Sequence, residues 1–205
     1  MKTFQKLPLV LMIFFSGIIV AQNDDKEIAT FKQSYSLESK SEFTKAIAIL
    51  KDIYKEDSYE INIRLAWLCY EAGQFSQSMT YYQNAISLKQ YSVEARLGYV
   101  YPAAALGNWD QVIAQYKKIL EFDAQNSTAN FRLGMIYYSR KDYPTAQKYF
   151  ERVVNLYPFD YDGNHMLGWS YLQMGKMREA KILLTKALLN RPDDASALEG
   201  LSLIK

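Results

Sequence analysis

The sequence has one cysteine, one histidine and almost no net charge, and each scarcity removes a class of function. Cys69 alone cannot form an internal disulfide, so packing must hold the chain together. It stands at a core position of its repeat, where a buried and inert thiol is expected. His165 is the sole histidine, which argues against multi-histidine metal sites and histidine-based catalytic triads. Glycine is sparse and forms no phosphate-cradling loop. The acid pairs Asp160 with Asp162 and Asp193 with Asp194 fall at helix starts, where acids cap the helix and offset its dipole. No catalytic constellation assembles, so neither an enzyme, a cofactor nor a small-molecule substrate is expected. The 24 basic and 22 acidic residues leave +2. Lys2 and Lys6 are the only charges in the first 21 residues, so residues 22–205 carry 22 of each sign and a net charge of zero. That balance gives no electrostatic case for nucleic acid or an anionic membrane.

Leu7 to Val20 is an apolar run following Lys2 and Lys6 and preceding Ala21 and a polar stretch. As a helix the run is about 21 Å long, short of the roughly 30 Å hydrocarbon core. Residues 1–21 therefore read as a secretory signal peptide cleaved near Ala21, and the mature chain as periplasmic or otherwise in the cell envelope. Ile19 stands at the −3 position, and an uncleaved anchor is the alternative and the one route to a membrane contact.

The rest of the chain has no linker, low-complexity tract or charge run to divide it. Hydrophobic residues make up 49% and charged residues 22%, the balance of a folded protein. Ser127 to Asp160 reads as two amphipathic helices with a turn. Stepping 34 residues from Leu133, Gly134, Tyr137, Ala146 and Pro158 reaches Leu167, Gly168, Tyr171, Ala180 and Pro192. A period of this size means stacked helical repeats. Repeats are expected at about 27–58, 59–90, 91–126, 127–160 and 161–194, with a capping helix over 195–205. Gly73 is expected to end a helix in the left-handed conformation. In the third repeat Leu97, Gly98 and Tyr101 are taken as the marker residues, which makes its inner turn, around Leu106 to Asn108, two residues longer than the others. Pro102 is expected to kink the preceding helix, either as a packing irregularity or as a device that reshapes a binding groove.

These residues resemble the tetratricopeptide repeat, with its W-x2-L-G-x2-Y, A-x3-F and P pattern. Asn130 and Asn164 replace the Trp, and Leu184 replaces the Phe. The resemblance implies an all-α, right-handed superhelix of five repeats plus a cap, acting as a non-catalytic interaction scaffold. It also implies that the first helix of each pair lines a concave, peptide-binding groove. One position after the repeat's small residue gives Tyr35, Trp67, Tyr99, Met135 and Trp169. Two positions before gives Lys32, Arg64, Arg96, Arg132 and Met166. Phe131, Tyr138 and His165 join them as candidates. Four cations in consecutive repeats favour a protein or peptide partner with acidic residues. The alternative is a structural subunit that self-associates, as a homodimer for example, through its convex face or its apolar C-terminal helix.

Overall fold

A computed structural model describes residues 25–204, and the signal-peptide segment lies outside the described residues. The described residues form eleven helices and no strand. Helix α1 covers 25–38. It is followed by α2 (Phe43–Lys51), α3 (Tyr59–Glu71), α4 (Phe75–Leu88) and α5 (Val93–Ala105). Then come α6 (Trp109–Phe122), α7 (Ser127–Ser139), α8 (Tyr143–Leu156), α9 (Tyr161–Gln173), α10 (Met177–Asn190) and α11 (Ala195–Ser202). The chain divides into two compact units at Leu106 and Gly107: α1 to α5 form the first, α6 to α11 the second.

The helix starts are written in the sequence as polar caps. Ser58, Ser92, Asn126, Asp160 and Asp194 each accept the N–H three residues on, which satisfies one of the orphan donors at a helix start. Positions 58, 92, 126, 160 and 194 differ by 34 at every step. The turns within pairs keep the same step from the second repeat on, with left-handed residues at Gly73, Gly107, Lys141 and Gly175, and Ser41 stands two residues closer, 32 before Gly73. At Gly73 the Gln74 N–H reaches Cys69 O at 2.8 Å and the Gly73 N–H reaches Tyr70 O at 2.9 Å, the paired closure of a Schellman end.

This regularity corrects the third repeat. Its inner turn is Leu106, Gly107 and Asn108, three residues like Ala72, Gly73 and Gln74. The true counterparts of Leu65 and Ala66 are Tyr99 and Val100, two residues later than Leu97 and Gly98. Gly98 imitates the marker glycine but is small for a different reason. A Cβ on Gly98 would lie 2.2 Å from Tyr82 Cε1, a side chain of the preceding helix α4. Gly134 by contrast faces Phe150, in its own pair, at 2.5 Å. The one uneven step lies at the first repeat, where α2 has 9 residues against 14 in α4. Pro102 is buried and α5 stays helical past it to Ala105, so the helix continues although the ring removes the N–H that would bond Gly98 O.

Each unit has its own core. In the first, Leu50, Ile61, Leu65, Leu68 and Cys69 pack with Phe31 and Phe43. Burial pushes the Cys69 thiol up to about 11, which keeps it protonated and unreactive. In the second, Phe150, Ala146, Leu167 and Leu183 form one cluster, and Leu184, Ala187, Ala197 and Tyr161 another. Helix α11 packs on α10 through the latter cluster and starts in full 34-residue register, so the cap is the first helix of a further repeat.

Candidate interaction surface

In the first unit the candidate side chains sit on α1, α3 and α5. Tyr35 is 56% exposed and Lys32 is exposed. Arg64 is 5% exposed and already engaged. Its Nε donates to Ser34 Oγ at 3.0 Å, and its terminal nitrogen pairs with Glu38 at 2.6 Å. Its guanidinium lies 3.8 Å from the Tyr35 ring centre. The Trp67 indole N–H donates to the same Glu38 at 2.6 Å. One acid from α1 thus neutralises the arginine and orients the tryptophan of α3. The sequence pattern singled out Arg64 and Trp67 but had no means of finding Glu38, which lies off the repeat marker positions.

The two-residue correction moves two candidates. Tyr99 is a core residue, 8% exposed, because it takes the place of Leu65 and Leu133. The residue on the outer row is Tyr101, 51% exposed, with its ring centre 5.7 Å from Tyr70. Tyr70 in turn stands 5.8 Å from both Trp67 and Phe75. Arg96 takes the position of Asn62 rather than of Arg64. Asn62 donates to Glu56 O at 3.0 Å, and Arg96 donates to Gln90 O at 2.7 Å, six residues back in each case. Both tie the connecting loop to the helix behind it. The row position itself falls on Gly98. The expected row of four cations is therefore not an open one: Arg64 is neutralised and Arg96 is half-buried against a loop.

In the second unit Asn130 and Asn164 repeat the loop clamp, donating to Ala124 O and Pro158 O at 3.1 Å each. This explains why asparagine replaces the bulky residue of the pattern: the amide satisfies carbonyls that the turn leaves buried. Arg132 is exposed and has no hydrogen bond or ion pair among the described residues, and Met135 is exposed beside it. Phe131 is half-buried, its ring 5.6 Å from Phe150. Tyr138 packs edge-on against Tyr143 at 5.2 Å, and burial raises its phenol above the ordinary value. An open cleft of about 410 Å³ lies between Phe131 and Arg132 of α7, Val153 and Tyr157 of α8 and its end, and Asp160 and Asp162 at the start of α9.

His165 and Trp169 lie at the other end of the second unit. The Trp169 indole N–H is shared at 3.1 Å by His165 Nε2 and Ser196 Oγ, and His165 Nε2 is 2.9 Å from Ser196 Oγ. Asp194 is 3.8 Å from that same Nε2 and accepts the Ala197 N–H at 2.7 Å. A serine–histidine–aspartate relay requires the carboxylate on the opposite ring nitrogen, so these three side chains are a docking joint for α11. Burial holds His165 below its ordinary value, favouring the neutral ring that accepts from Trp169. Among the described residues no group of three His, Cys, Asp or Glu is placed to hold a metal ion, and no helix is long and apolar enough to cross a membrane.

Paired helices joined by left-handed turns and repeating every 34 residues define a helical-repeat protein. Three models described as tetratricopeptide repeat match, at residues 59–91, 102–161 and 137–203. Together they span residues 59–91 and 102–203, and the chain is a tetratricopeptide repeat protein. Among solved structures it resembles a tetratricopeptide repeat protein from Parabacteroides merdae, with a TM-score of 0.74 at 16% identity over 87% of this chain and 72% of that one. It also resembles MamA, with a TM-score of 0.70 at 18% identity over 84% of this chain and 95% of that one. At these identities the likeness is one of fold. No curated protein matches the sequence. The fold is one generally used as a non-catalytic interaction scaffold, and it implies protein partners.

Proposed function

We propose that the chain holds a peptide segment of a partner protein against the exposed faces of its first helices. The carrying observation is the run of rings Tyr35, Trp67, Tyr70 and Tyr101 in the first unit, two of them more than half exposed. Tyrosine and tryptophan offer large contact area with little side-chain entropy to lose, which is why they recur at binding hot spots. With Arg64 neutralised by Glu38, the contact surface of this unit is aromatic more than cationic. The acidic character of the partner then rests on Lys32 and Arg132, one in each unit. The apolar run before Ala21 supports placing this activity in the cell envelope after removal of residues 1–21. A second reading is self-association, favoured by Leu198 and Leu203, which are 49% and 54% exposed at α11.

A photoreactive residue in place of Tyr101, crosslinked in the native cells and read by mass spectrometry, tests both. The expected result is one dominant adduct at position 101 and none at exposed Lys117 of α6. An adduct with a second copy of the chain selects self-association. Equal labelling at both positions, or none at 101, sinks the peptide-holding reading.

A further inference from the structure

Two joints of this array carry a tyrosine at the first position of a first helix, bonded across to the next one. Tyr59 of α3 places its hydroxyl 2.7 Å from Ser92 Oγ, the cap of the next first helix, and donates to Glu94 at 2.9 Å. Lys89 of the intervening loop stands 4.0 Å from its ring centre. Tyr161 of α9 repeats the arrangement 102 residues later. Its hydroxyl bonds the Asp194 cap, and Arg191 lies 3.7 Å from its ring centre. Ring, cap acceptor and loop cation recur in both units.

At α7 the same position is Ser127, and the ring is missing. The residues that would receive it remain. Asp160 is the cap that corresponds to Ser92 and Asp194, and it uses one carboxylate oxygen on the Gly163 N–H. Asp162 corresponds to Glu94. Tyr157 takes the loop position of Lys89 and Arg191. Ser127, Asp160, Asp162 and Tyr157 all line the open cleft of about 410 Å³, and Arg132 supplies its cation from α7. Tyr59 and Tyr161 each place a phenol hydroxyl on these acceptors from within, beside an open cleft of about 710 Å³ in the case of Tyr59; at position 127 the acceptors face the cleft with no phenol of the chain's own.

We propose that this cleft receives a tyrosine side chain of the partner polypeptide, with an acidic residue next to it paired to Arg132. The proposal rests on the peptide-holding reading above and names the chemistry of one contact within it. The phenol hydroxyl donates to Asp160 or Asp162, the ring lies against Phe131 and Tyr157, and the neighbouring carboxylate meets the only exposed cation of the cleft. The roles divide by charge: Asp160 and Asp162 accept the phenol's proton donor, and Arg132, the one cation lining the cleft, pairs with the neighbouring carboxylate.

The test uses the full chain and short end-blocked Gly/Ser peptides with a central Glu-Tyr, Glu-Phe or Lys-Tyr, followed by fluorescence polarisation. The Glu-Tyr peptide is expected to bind with a dissociation constant on the order of 0.1–1 mM, since one anchored side chain must offset the lost freedom of the peptide. Losing the hydroxyl or reversing the charge is expected to weaken binding by about tenfold. Ser127→Tyr supplies the chain's own phenol to these acceptors, as Tyr59 and Tyr161 do at their joints, so it should abolish binding and keep the helical content of the parent. Arg132→Gln, an exposed change that leaves the core untouched, should erase the preference for Glu-Tyr over Lys-Tyr. The proposal is overturned if Glu-Tyr binds no better than a Gly/Ser blank, or if Ser127→Tyr and Arg132→Gln both leave its binding unchanged. A silent cleft with a persistent crosslink at position 101 removes this contact and spares the peptide-holding reading.

Discussion

Gly98 carries more structural information than any other single residue of the first unit. Its absent Cβ would stand 2.2 Å from Tyr82 Cε1 and 2.8 Å from the Tyr82 hydroxyl oxygen. Tyr82 is buried at 4% exposure, so its ring has nowhere to swing. Two effects compete when alanine replaces Gly98. Helix propensity improves by about 1 kcal/mol, while overpacking costs about 1–3 kcal/mol. The contact is short enough that overpacking should win, and Gly98→Ala is expected to lower the urea midpoint. Adding Tyr82→Leu, the residue type found at the matching Leu184, should recover part of the loss, with a coupling of about 1 kcal/mol in a double-mutant cycle. A Gly98→Ala chain as stable as the parent would refute the close-packing account. The same residue explains what the sequence could and could not say. A glycine in a helix announces that something comes near, but not which neighbour. Leu97-Gly98 imitates Leu133-Gly134 letter for letter, yet the approaching ring comes from the preceding helix in one case and from the helix's own partner in the other. That difference moved Tyr99 into the core and Tyr101 onto the surface.

Among the elements, the helix starts and inner turns were the most legible, because they depend on residues close in sequence: a cap acceptor and the N–H three residues on. Side-chain engagement between elements was not legible, because Glu38 on α1 and Arg64 on α3 meet only after the helices pack. The docking of α11 on α9 is of the second kind and carries a pH dependence. His165 is packed among Tyr161 and Trp169 of its own helix, Arg191 and Asp194 of the connecting loop, and Ser196 of α11. Burial lowers its affinity for a proton and Arg191 lowers it further, while Asp194 and Asp162 oppose them without reversing the direction. The folded value therefore lies below the unfolded value of about 6.5. A group depressed in this way contributes stability that is present above the unfolded value and is lost as pH falls through the folded one. Protonation would also replace the acceptor of the Trp169 N–H by a second donor. The melting temperature is expected to fall between about pH 7.5 and pH 5.5 more steeply in the parent than in His165→Gln, because only the parent has a ring that must stay neutral. Parallel slopes for the two proteins would show that His165 does not couple α11 to the array.

For the molecule as a whole, the 34-residue step carries the fold class, since a repeat buries its apolar face against its neighbours and needs no distant partner. Each unit contains its own clusters, Leu50 with Leu65 in the first and Phe150 with Leu167 in the second. The charge of the binding surface did not follow from the repeat alone, because a cation placed by register is open only if no acid of a neighbouring helix reaches it. The locality that makes the fold legible also governs how damage spreads. Leu133 is fully buried in α7 at the position matched by Leu65 and Leu167. Leu133→Ala removes that packing and should cost about 2–5 kcal/mol. In a protein with one cooperative core such a loss lowers protection everywhere; in a stack of repeats it is largest in the altered pair and fades along the array. Amide hydrogen exchange is thus expected to accelerate in α7 and α8 and in the adjacent α9, while the amides of α2 and α3, held by their own cluster, keep the parent's protection. Equal acceleration in α2 and α8 would mean that the two units unfold as one, and that stability here is not the sum of local repeat contacts.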